Sequence, residues 1–140
     1  MTDDFVGTSF AVQVRWSDAD ELGHVNHARY LTYFEDARMS VSAVSPAGTP
    51  GGGRTRGYIA ARVAVDYRRQ VRFHAGLVLT VRTGLGRLGN TSLTLLQKLY
   101  LPGEPLPVAE CECVLVAYDY ATDKSRPLDA DERDYWQGLP

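Results

Sequence analysis

A strongly apolar helical segment is the feature that most limits how this chain can fold. Between residues 30 and 44, apolar side chains recur at spacings of four and three, which is the period of an α-helix. They are Tyr30, Phe34, Ala37, Val41 and Val44, and Leu31, Tyr33 and Met39 widen the stripe. The pattern predicts a helix that ends before Pro46 and is mostly buried, so the rest of the chain has to cover it.

The segments after this helix have the alternating pattern of β-strands. Four runs with a period of two follow one another, separated by Gly-containing and Pro-containing turns. Their apolar positions are Ile59, Ala61, Val63, Val65 and Tyr67; Leu77, Leu79, Val81 and Leu85; Leu93, Leu95, Leu99 and Leu101; and Val108, Val114, Val116, Tyr118 and Tyr120. Residues 9–16 predict one earlier strand, and residues 129–136 predict a short helical tail.

This order predicts an α+β fold in a single domain over residues 1–140. One curved antiparallel sheet of about five strands would wrap around one long central helix. A length of 140 residues suits one domain. Residues 47–57 would form a loop with Gly51, Gly52 and Gly53 in its middle and Arg54 and Arg56 at its far end. Such a loop is either a functional flap or a connector, and the sequence leaves both readings open.

Charge and hydropathy argue against several classes of function. The formal net charge is −2, and no run of Lys and Arg forms a stripe suited to nucleic acid. No stretch approaches the roughly 18 apolar residues of a membrane span. The first five residues are acidic and lack the apolar centre of a signal peptide. Cys111 and Cys113 are two residues apart on a predicted strand, too close for an ordinary disulfide. We therefore expect a cytoplasmic protein.

Candidate chemistry is concentrated in residues 15–30, just before the apolar helix. The segment carries two aspartates, two of the three histidines, a glycine and an asparagine. A helix N-terminus presents unpaired N–H groups and partial positive charge, which suit a carbonyl oxygen that becomes an oxyanion. A carboxylate on the loop that enters the helix would then face the carbonyl carbon. Nucleophile or base plus N–H donors is the minimum equipment for acyl transfer.

Three other interpretations of this segment are weaker or less specific. A calcium loop with Asp18, Asp20 and Gly23 at its first, third and sixth positions is rejected, since Leu22 and Arg29 occupy positions that need oxygen ligands. A metal site of Asp20, His24 and His27 lacks a further ligand cluster, so we expect no metal. In the purely structural reading, Asp18, Asp20 and Asn26 only turn the chain and cap the helix.

Residues 17–38 carry a resemblance to a known family. The stretch SDADELGHVNHARYLTYFEDAR closely resembles the signature of the 4-hydroxybenzoyl-CoA thioesterase-like (YbgC-type) acyl-CoA thioesterases, which have the hot-dog fold. That signature reads Asp-x-Asp/Thr-x-x-Gly-His-Val-Asn-Asn-x-x-Tyr, followed by Tyr-Phe-Glu-x-Ala-Arg. His27 stands where the second Asn of the pattern is commoner. The segment from Arg62 to Tyr67 looks like the second strand of the family.

The resemblance implies roles for individual residues. Asp20 would be the nucleophile or general base, and the His27 backbone N–H would polarise the thioester carbonyl. Gly23 would allow a tight turn, and Asn26 would hold the loop against the helix. Substrate contacts are expected at Tyr30, Arg62, Arg87, Asn90, Thr91 and Ser92, with Arg54 or Arg56 as further candidates for the CoA phosphates.

The implied activity is hydrolysis of an acyl-CoA to a carboxylic acid and free CoA thiol. No cofactor is expected, since coenzyme A is part of the substrate. Family members dimerise, often as dimers of dimers, with sites at the subunit interface, so we expect a homodimer or homotetramer. Two alternatives remain at this level: a non-catalytic module that binds acyl-CoA or acyl-carrier protein, and a hot-dog dehydratase acting on hydroxyacyl thioesters.

Overall fold

The described part of the chain forms two α-helices and six strands. The structure, a computed structural model, describes residues 3–48 and 55–140. The predicted loop residues Gly51, Gly52, Gly53 and Arg54 therefore lie outside the described residues. The elements are β1 (Thr8–Gln13), α1 (His27–Ser42), β2 (Arg56–Tyr67), β3 (Val78–Leu88), β4 (Ser92–Tyr100), β5 (Ala109–Asp119), β6 (Lys124–Ser125) and α2 (Ala130–Gln137).

All strands belong to one antiparallel sheet in the order β1-β3-β4-β5-β2, and the short β6 pairs with the end of β5. The predicted α+β class with an antiparallel sheet is thereby confirmed. Two helices are present in the described part of the chain, α1 with 16 residues and α2 with 8. Neither is long and apolar enough to cross a membrane.

The core lies between α1 and one face of the sheet, which we call the inner face. Phe34 and Ala37 of α1 are fully buried there. The strands contribute alternate side chains, as the period of two requires. These are Leu79 and Val81 from β3, Leu93, Leu95 and Leu99 from β4, and Cys111, Cys113, Leu115 and Ala117 from β5. The burial predicted for Leu93, Leu95 and Leu99 of β4 and for Leu79 and Val81 of β3 is confirmed. Leu101 lies beyond the end of β4 and is half-buried.

The predicted facing of β2 is wrong because the strand contains a β-bulge. Its register against β5 shifts between Ala60 and Arg62. A bulge inserts one residue and so reverses which side chains face the core. Val63 therefore lies opposite the buried Cys113 on the inner face, whereas Ile59 lies opposite Val116 on the outer face.

The prediction also chose the wrong face of β5. Apart from Leu115, the core face consists of small residues, including Cys111, Cys113 and Ala117. Val114 and Val116 point to the outer face, where they are half-buried. Alternation alone could not decide this, because both faces of β5 are largely apolar.

One strand boundary and the exposure of α1 also differ from expectation. β1 ends at Gln13, and Trp16 lies in a 3-10 turn with 81% of its surface exposed. α1 is buried on one side only: Leu31 and Met39 are 43% and 46% exposed. Arg38, a polar residue of the same helix, is buried, and its Nη1 donates to Gln97 Oε1 at 3.0 Å.

The predicted helical tail is confirmed as α2, and a buried carboxylate anchors it. Asp129 caps the helix through a capping box with Glu132, whose side chain is fully buried. Arg126 donates to both oxygens of Glu132, at 2.6 and 3.0 Å, and the Tyr58 hydroxyl donates as well. Burial alone would raise the pKa of Glu132, but the hydrogen bonds from Arg126, Tyr58 and the Asp129 N–H lower it to about 2.

We expect Glu132→Gln to lower the free energy of unfolding at pH 7 by on the order of 3 kcal/mol. Because the folded-state pKa is depressed, this stabilisation is fully present above the ordinary value of 4.5 and is lost as the pH falls toward about 2. Urea unfolding of wild type and variant between pH 7 and 2.5 measures the difference. Asp131→Asn, at an exposed position in the same helical turn, is the control. A pH-independent difference would contradict the assignment.

Candidate active site

The loop that enters α1 is held by a neighbouring loop. The Val25 N–H donates to Val71 O at 2.8 Å, and the Phe73 N–H donates to Gly23 O at 2.9 Å. His24 and Arg72 form a short antiparallel bridge between the same two segments. The segment that carries the candidate residues is thus part of the ordered backbone, fixed at one end of the sheet.

Asp18 ties this loop to α1 from inside the protein. Its Oδ2 accepts the Tyr33 hydroxyl at 2.7 Å and the Arg15 N–H at 3.0 Å, and its side chain is 8% exposed. The Asn26 N–H donates to the backbone oxygen of Asp18 at 2.9 Å. Burial and the bond to Asp18 raise the pKa of Tyr33, so it stays a donor. Asp18 is therefore an anchor and is not available for reaction.

A tight turn at Gly23 folds the loop back on itself. The Gly23 N–H donates to Asp20 O at 3.1 Å, and the Asp20 N–H donates to His24 O at 2.8 Å. Gly23 has φ +81°, a left-handed conformation that is strained for most L-residues. The turn needs the backbone freedom of glycine more than its small size, because nothing lies within 4 Å of a Cβ built there.

The turn holds one oxygen of Asp20 and leaves the other unengaged. Oδ1 accepts the N–H groups of Leu22 at 2.9 Å and His24 at 3.1 Å. Oδ2 accepts no hydrogen bond from any residue that the structure describes. Asp20 is exposed at the protein surface. A carboxylate oriented through one oxygen can act as a nucleophile or a base through the other.

The first turn of α1 presents a backbone donor beside this carboxylate. Asn26 is the N-cap, and its Oδ1 accepts the Ala28 N–H at 2.9 Å. The Arg29 N–H donates to Asn26 O. The His27 N–H has no acceptor within residues 3–48 and 55–140. Asn26 thus accepts the neighbouring Ala28 and Arg29 N–H groups, while the His27 N–H stays available at the positive end of the helix.

Asp20 and His27 line one cavity of about 360 Å³. Its other lining residues come from the same loop, from α1 and from the end of β2: His24, Val25, Tyr30, Tyr67, Arg68, Arg69 and Gln70. Tyr30 and Tyr67 meet edge to face, with ring centroids 5.0 Å apart. Burial raises the pKa of both phenols, so both stay protonated at neutral pH.

The residues Tyr67 to Gln70 were missed in the sequence because β2 was judged only by its apolar alternation. The chemically relevant signal is that the strand ends in Tyr67-Arg68-Arg69, directly before the loop that pairs with residues 23–25. Arg68 pairs with Glu110 at 2.9 Å, and Arg69 lies 3.9 Å from Glu104. These arginines place positive charge at the rim of the cavity.

Three of the predicted phosphate-binding residues, Arg62, Arg87 and Arg56, do not join Asp20 within one chain. Arg62 and Arg87 line a separate cavity on the outer face of the sheet, and Arg62 pairs there with Glu112 at 3.0 Å. Arg56 is engaged by Asp129 and Glu132 at the start of α2. Among the described residues, Tyr30 is the only expected substrate contact that lines the Asp20 cavity.

The turn between β3 and β4 is also elsewhere, against the C-terminal segment. Thr91 O accepts the Ala117 N–H at 2.8 Å, and Asn90 O accepts the Leu128 N–H at 2.9 Å. Ser92 O accepts the Gly89 N–H at 2.7 Å. Within a single chain, these backbone bonds make the turn a packing element.

The metal alternative would need several ligand side chains close together. No group of three or more His, Cys, Asp or Glu residues placed to hold an ion occurs in the described ranges.

Sequence and structure comparisons relate this chain to known thioesterases. A model of the thioesterase-like superfamily matches residues 14–134. The long-chain acyl-CoA thioesterase FadM of Escherichia coli K12 is 28% identical over 123 residues, covering 88% of this chain and 92% of that protein. The structure of a predicted thioesterase from Bacillus stearothermophilus has a TM-score of 0.81 at 28% identity, covering 92% of both chains. A Thermus thermophilus thioesterase, solved with coenzyme A and Zn, has a TM-score of 0.77 at 29% identity, covering 93% of this chain and 97% of that chain.

We expect Gly23→Ala to lower the free energy of unfolding by about 1 kcal/mol, because alanine is strained at positive φ. Amide exchange at Leu22 and His24 should become faster, since the turn presents these donors to Asp20. Gly23→Asn, which tolerates this conformation, should restore most of the loss. Urea unfolding and hydrogen exchange measure both effects.

Gly76→Ala is the matched control. Gly76 has φ +83° and equally open surroundings in another turn. It should cost similar stability while the exchange of the Leu22 and His24 amides stays as in wild type. Equal exchange changes in both variants would show that the effect is global.

Proposed function

We infer that this chain, which belongs to the thioesterase-like superfamily, hydrolyses acyl-CoA thioesters at the cavity that contains Asp20 and His27. The activity as a thioesterase follows from the family and from its acyl-CoA thioesterase relative. The site assignment rests on two groups that line the same cavity. The Asp20 carboxylate accepts hydrogen bonds through Oδ1 only, and the His27 N–H has no acceptor, among the residues that the structure describes.

The proposed reaction begins with the thioester carbonyl directed toward the His27 N–H. As the carbonyl carbon becomes tetrahedral, its oxygen gains negative charge. A preorganised backbone donor at a helix N-terminus stabilises that charge without reorganisation during the reaction. The same donor binds the uncharged ground-state carbonyl less strongly, so it favours the transition state.

Asp20 acts on the carbonyl carbon in one of two ways, and the proposal covers both. If Oδ2 attacks directly, the C–S bond breaks, CoA leaves as the thiol after gaining a proton, and water hydrolyses the resulting mixed anhydride. If Asp20 is a general base, it takes a proton from water, the hydroxyl oxygen attacks, and the thiol leaves with the proton. Both routes give a carboxylic acid and free CoA.

The remaining assignments are part of the same proposal. The reaction needs no cofactor beyond the CoA of the substrate. Gly23 and Asn26 shape the loop, and Tyr30 contacts the acyl group. Arg62, Arg87 and the turn Asn90-Thr91-Ser92 contact pantetheine and phosphates when supplied by a second copy of the chain. We assign them to a second copy because within one chain Arg62 and Arg87 line a different cavity from Asp20. The resemblance also implies sites at the subunit interface.

We also propose that the protein is a homodimer, or a dimer of such dimers. β2 ends the sheet, and no described strand pairs with its free edge. Val63 is 39% exposed there, and Leu31 and Met39 are exposed on α1. An open strand edge bordered by apolar side chains is costly in water, and a second copy would cover it. Tyr67, on the same strand, would place the cavity next to this interface.

We also propose a hot-dog fold, a single domain and a cytoplasmic compartment for this protein. α1 would be the central helix of a hot-dog fold, supported by the core it forms with the inner face of the sheet. One domain would span residues 1–140, and the protein would be cytoplasmic, in keeping with its two free, buried cysteines.

We expect Asp20→Asn to lower kcat by roughly 10²- to 10⁴-fold. The asparagine Oδ1 can still accept the Leu22 and His24 N–H groups, so the loop should keep its shape. Release of free thiol from short-chain, long-chain and aromatic acyl-CoAs measures the rate. Glu21→Gln, at the neighbouring exposed carboxylate, is the control and should retain activity. Equal activity of wild type and Asp20→Asn would refute the assignment of Asp20.

We expect Val63→Lys to raise the dimer dissociation constant by at least about 100-fold, since burying an unpaired ammonium costs about 3 kcal/mol or more. Sedimentation velocity over a concentration series measures the change. Leu106→Lys, at a 40% exposed position in the loop between β4 and β5, is the matched control. A wild-type protein that sediments as a monomer would overturn the proposal.

A further inference from the structure

Two tyrosines bind backbone carbonyls at opposite ends of α1. The Tyr67 hydroxyl, from the end of β2, donates to His27 O in the first turn at 2.8 Å. The Tyr135 hydroxyl, from α2, donates to Val41 O in the last turn at 2.5 Å. The two bonds are alike in chemistry, but only the first lies at the Asp20 cavity.

We propose that Tyr67 is a positioning residue for thioester hydrolysis, which sets the place of the His27 N–H relative to Asp20. The inference rests on the proposed role of that N–H. Tyr67 acts through the helix backbone and takes no part in proton transfer.

The contacts of Tyr67 fix the helix start in more than one direction. Its hydroxyl holds the His27 carbonyl, which also accepts the Leu31 N–H within α1. Its ring packs edge to face against Tyr30 at 5.0 Å and against His27 at 6.3 Å. Carbonyl and ring contacts together connect the first turn of α1 to the end of β2. The rest of the His27 side chain is exposed.

The position of this turn matters because the proposed catalysis depends on a single donor. Asp20 is held by the loop, through Leu22 and His24, whereas the His27 N–H is held by the helix. The two groups therefore belong to different elements, which the bonds of Asp18 to Asn26 and Tyr33 also join. Tyr67 joins the helix side to the end of β2. Directly after β2 the chain leads to Val71 and Phe73, which pair with the loop. Misplacement of a reacting group by about 1 Å can cost on the order of 100-fold in rate.

Tyr67→Phe tests the hydroxyl while retaining the ring. We expect kcat for the best acyl-CoA to fall roughly tenfold, with KM within about twofold of wild type, because the donor is misplaced in the transition state and the cavity wall stays intact. Amide exchange of Leu31 should become faster, since its acceptor His27 O loses its second partner. This second readout does not depend on activity.

Tyr135→Phe is the matched control, since it removes the same kind of bond from the same helix away from the cavity. It should lower the melting temperature about as much as Tyr67→Phe while kcat stays as in wild type. The inference is overturned if Tyr67→Phe keeps full kcat, if its loss lies in KM alone, or if Tyr135→Phe loses kcat equally. A wild-type protein without thioesterase activity would instead refute the proposed function, and Leu31 exchange would still report on the Tyr67 bond.

Discussion

Burial of one side of α1 against the inner face of the sheet is the constraint on which the other features depend. Phe34 and Ala37 are fully enclosed, so the axis of the helix cannot move without opening the core. Its N-terminus therefore emerges near the end of β2 and beside the loop from Asp18 to Asn26. The cavity lies where the helix end and the loop meet.

The loop is built from backbone hydrogen bonds with few side-chain contacts. Asp18 connects the loop to α1 by accepting the Tyr33 hydroxyl. The turn at Gly23 lets the Leu22 and His24 N–H groups donate to one oxygen of Asp20. Two aspartates two residues apart thus have different roles. Asp18 is buried and has its partners, while Asp20 is exposed and has one oxygen unengaged. Environment, more than residue type, separates the anchor from the candidate nucleophile.

Sequence patterns predicted the strands with a single apolar face better than those with two. In β4, Leu93, Leu95 and Leu99 are buried as predicted. The opposite face carries Ser92, Thr94, Leu96 and Lys98, of which only Leu96 is apolar. In β5, the apolar Val114 and Val116 predicted the wrong core face, because the buried residues Cys111 and Cys113 are smaller. In β2, the bulge at Ala61 reversed the facing midway, and bulges leave little trace in hydropathy.

The sequence by itself determined the class of fold, the family and the segment that carries the chemistry, because helical period, strand period and the motif from Ser17 to Arg38 are all local. Only the tertiary structure decided which distant residues share the cavity. Tyr67 joins Asp20 there, whereas Arg62 and Arg87, on the outer face of the sheet, do not. Strand pairing and the bulge set these neighbours, and both arise from contacts between residues far apart in the chain.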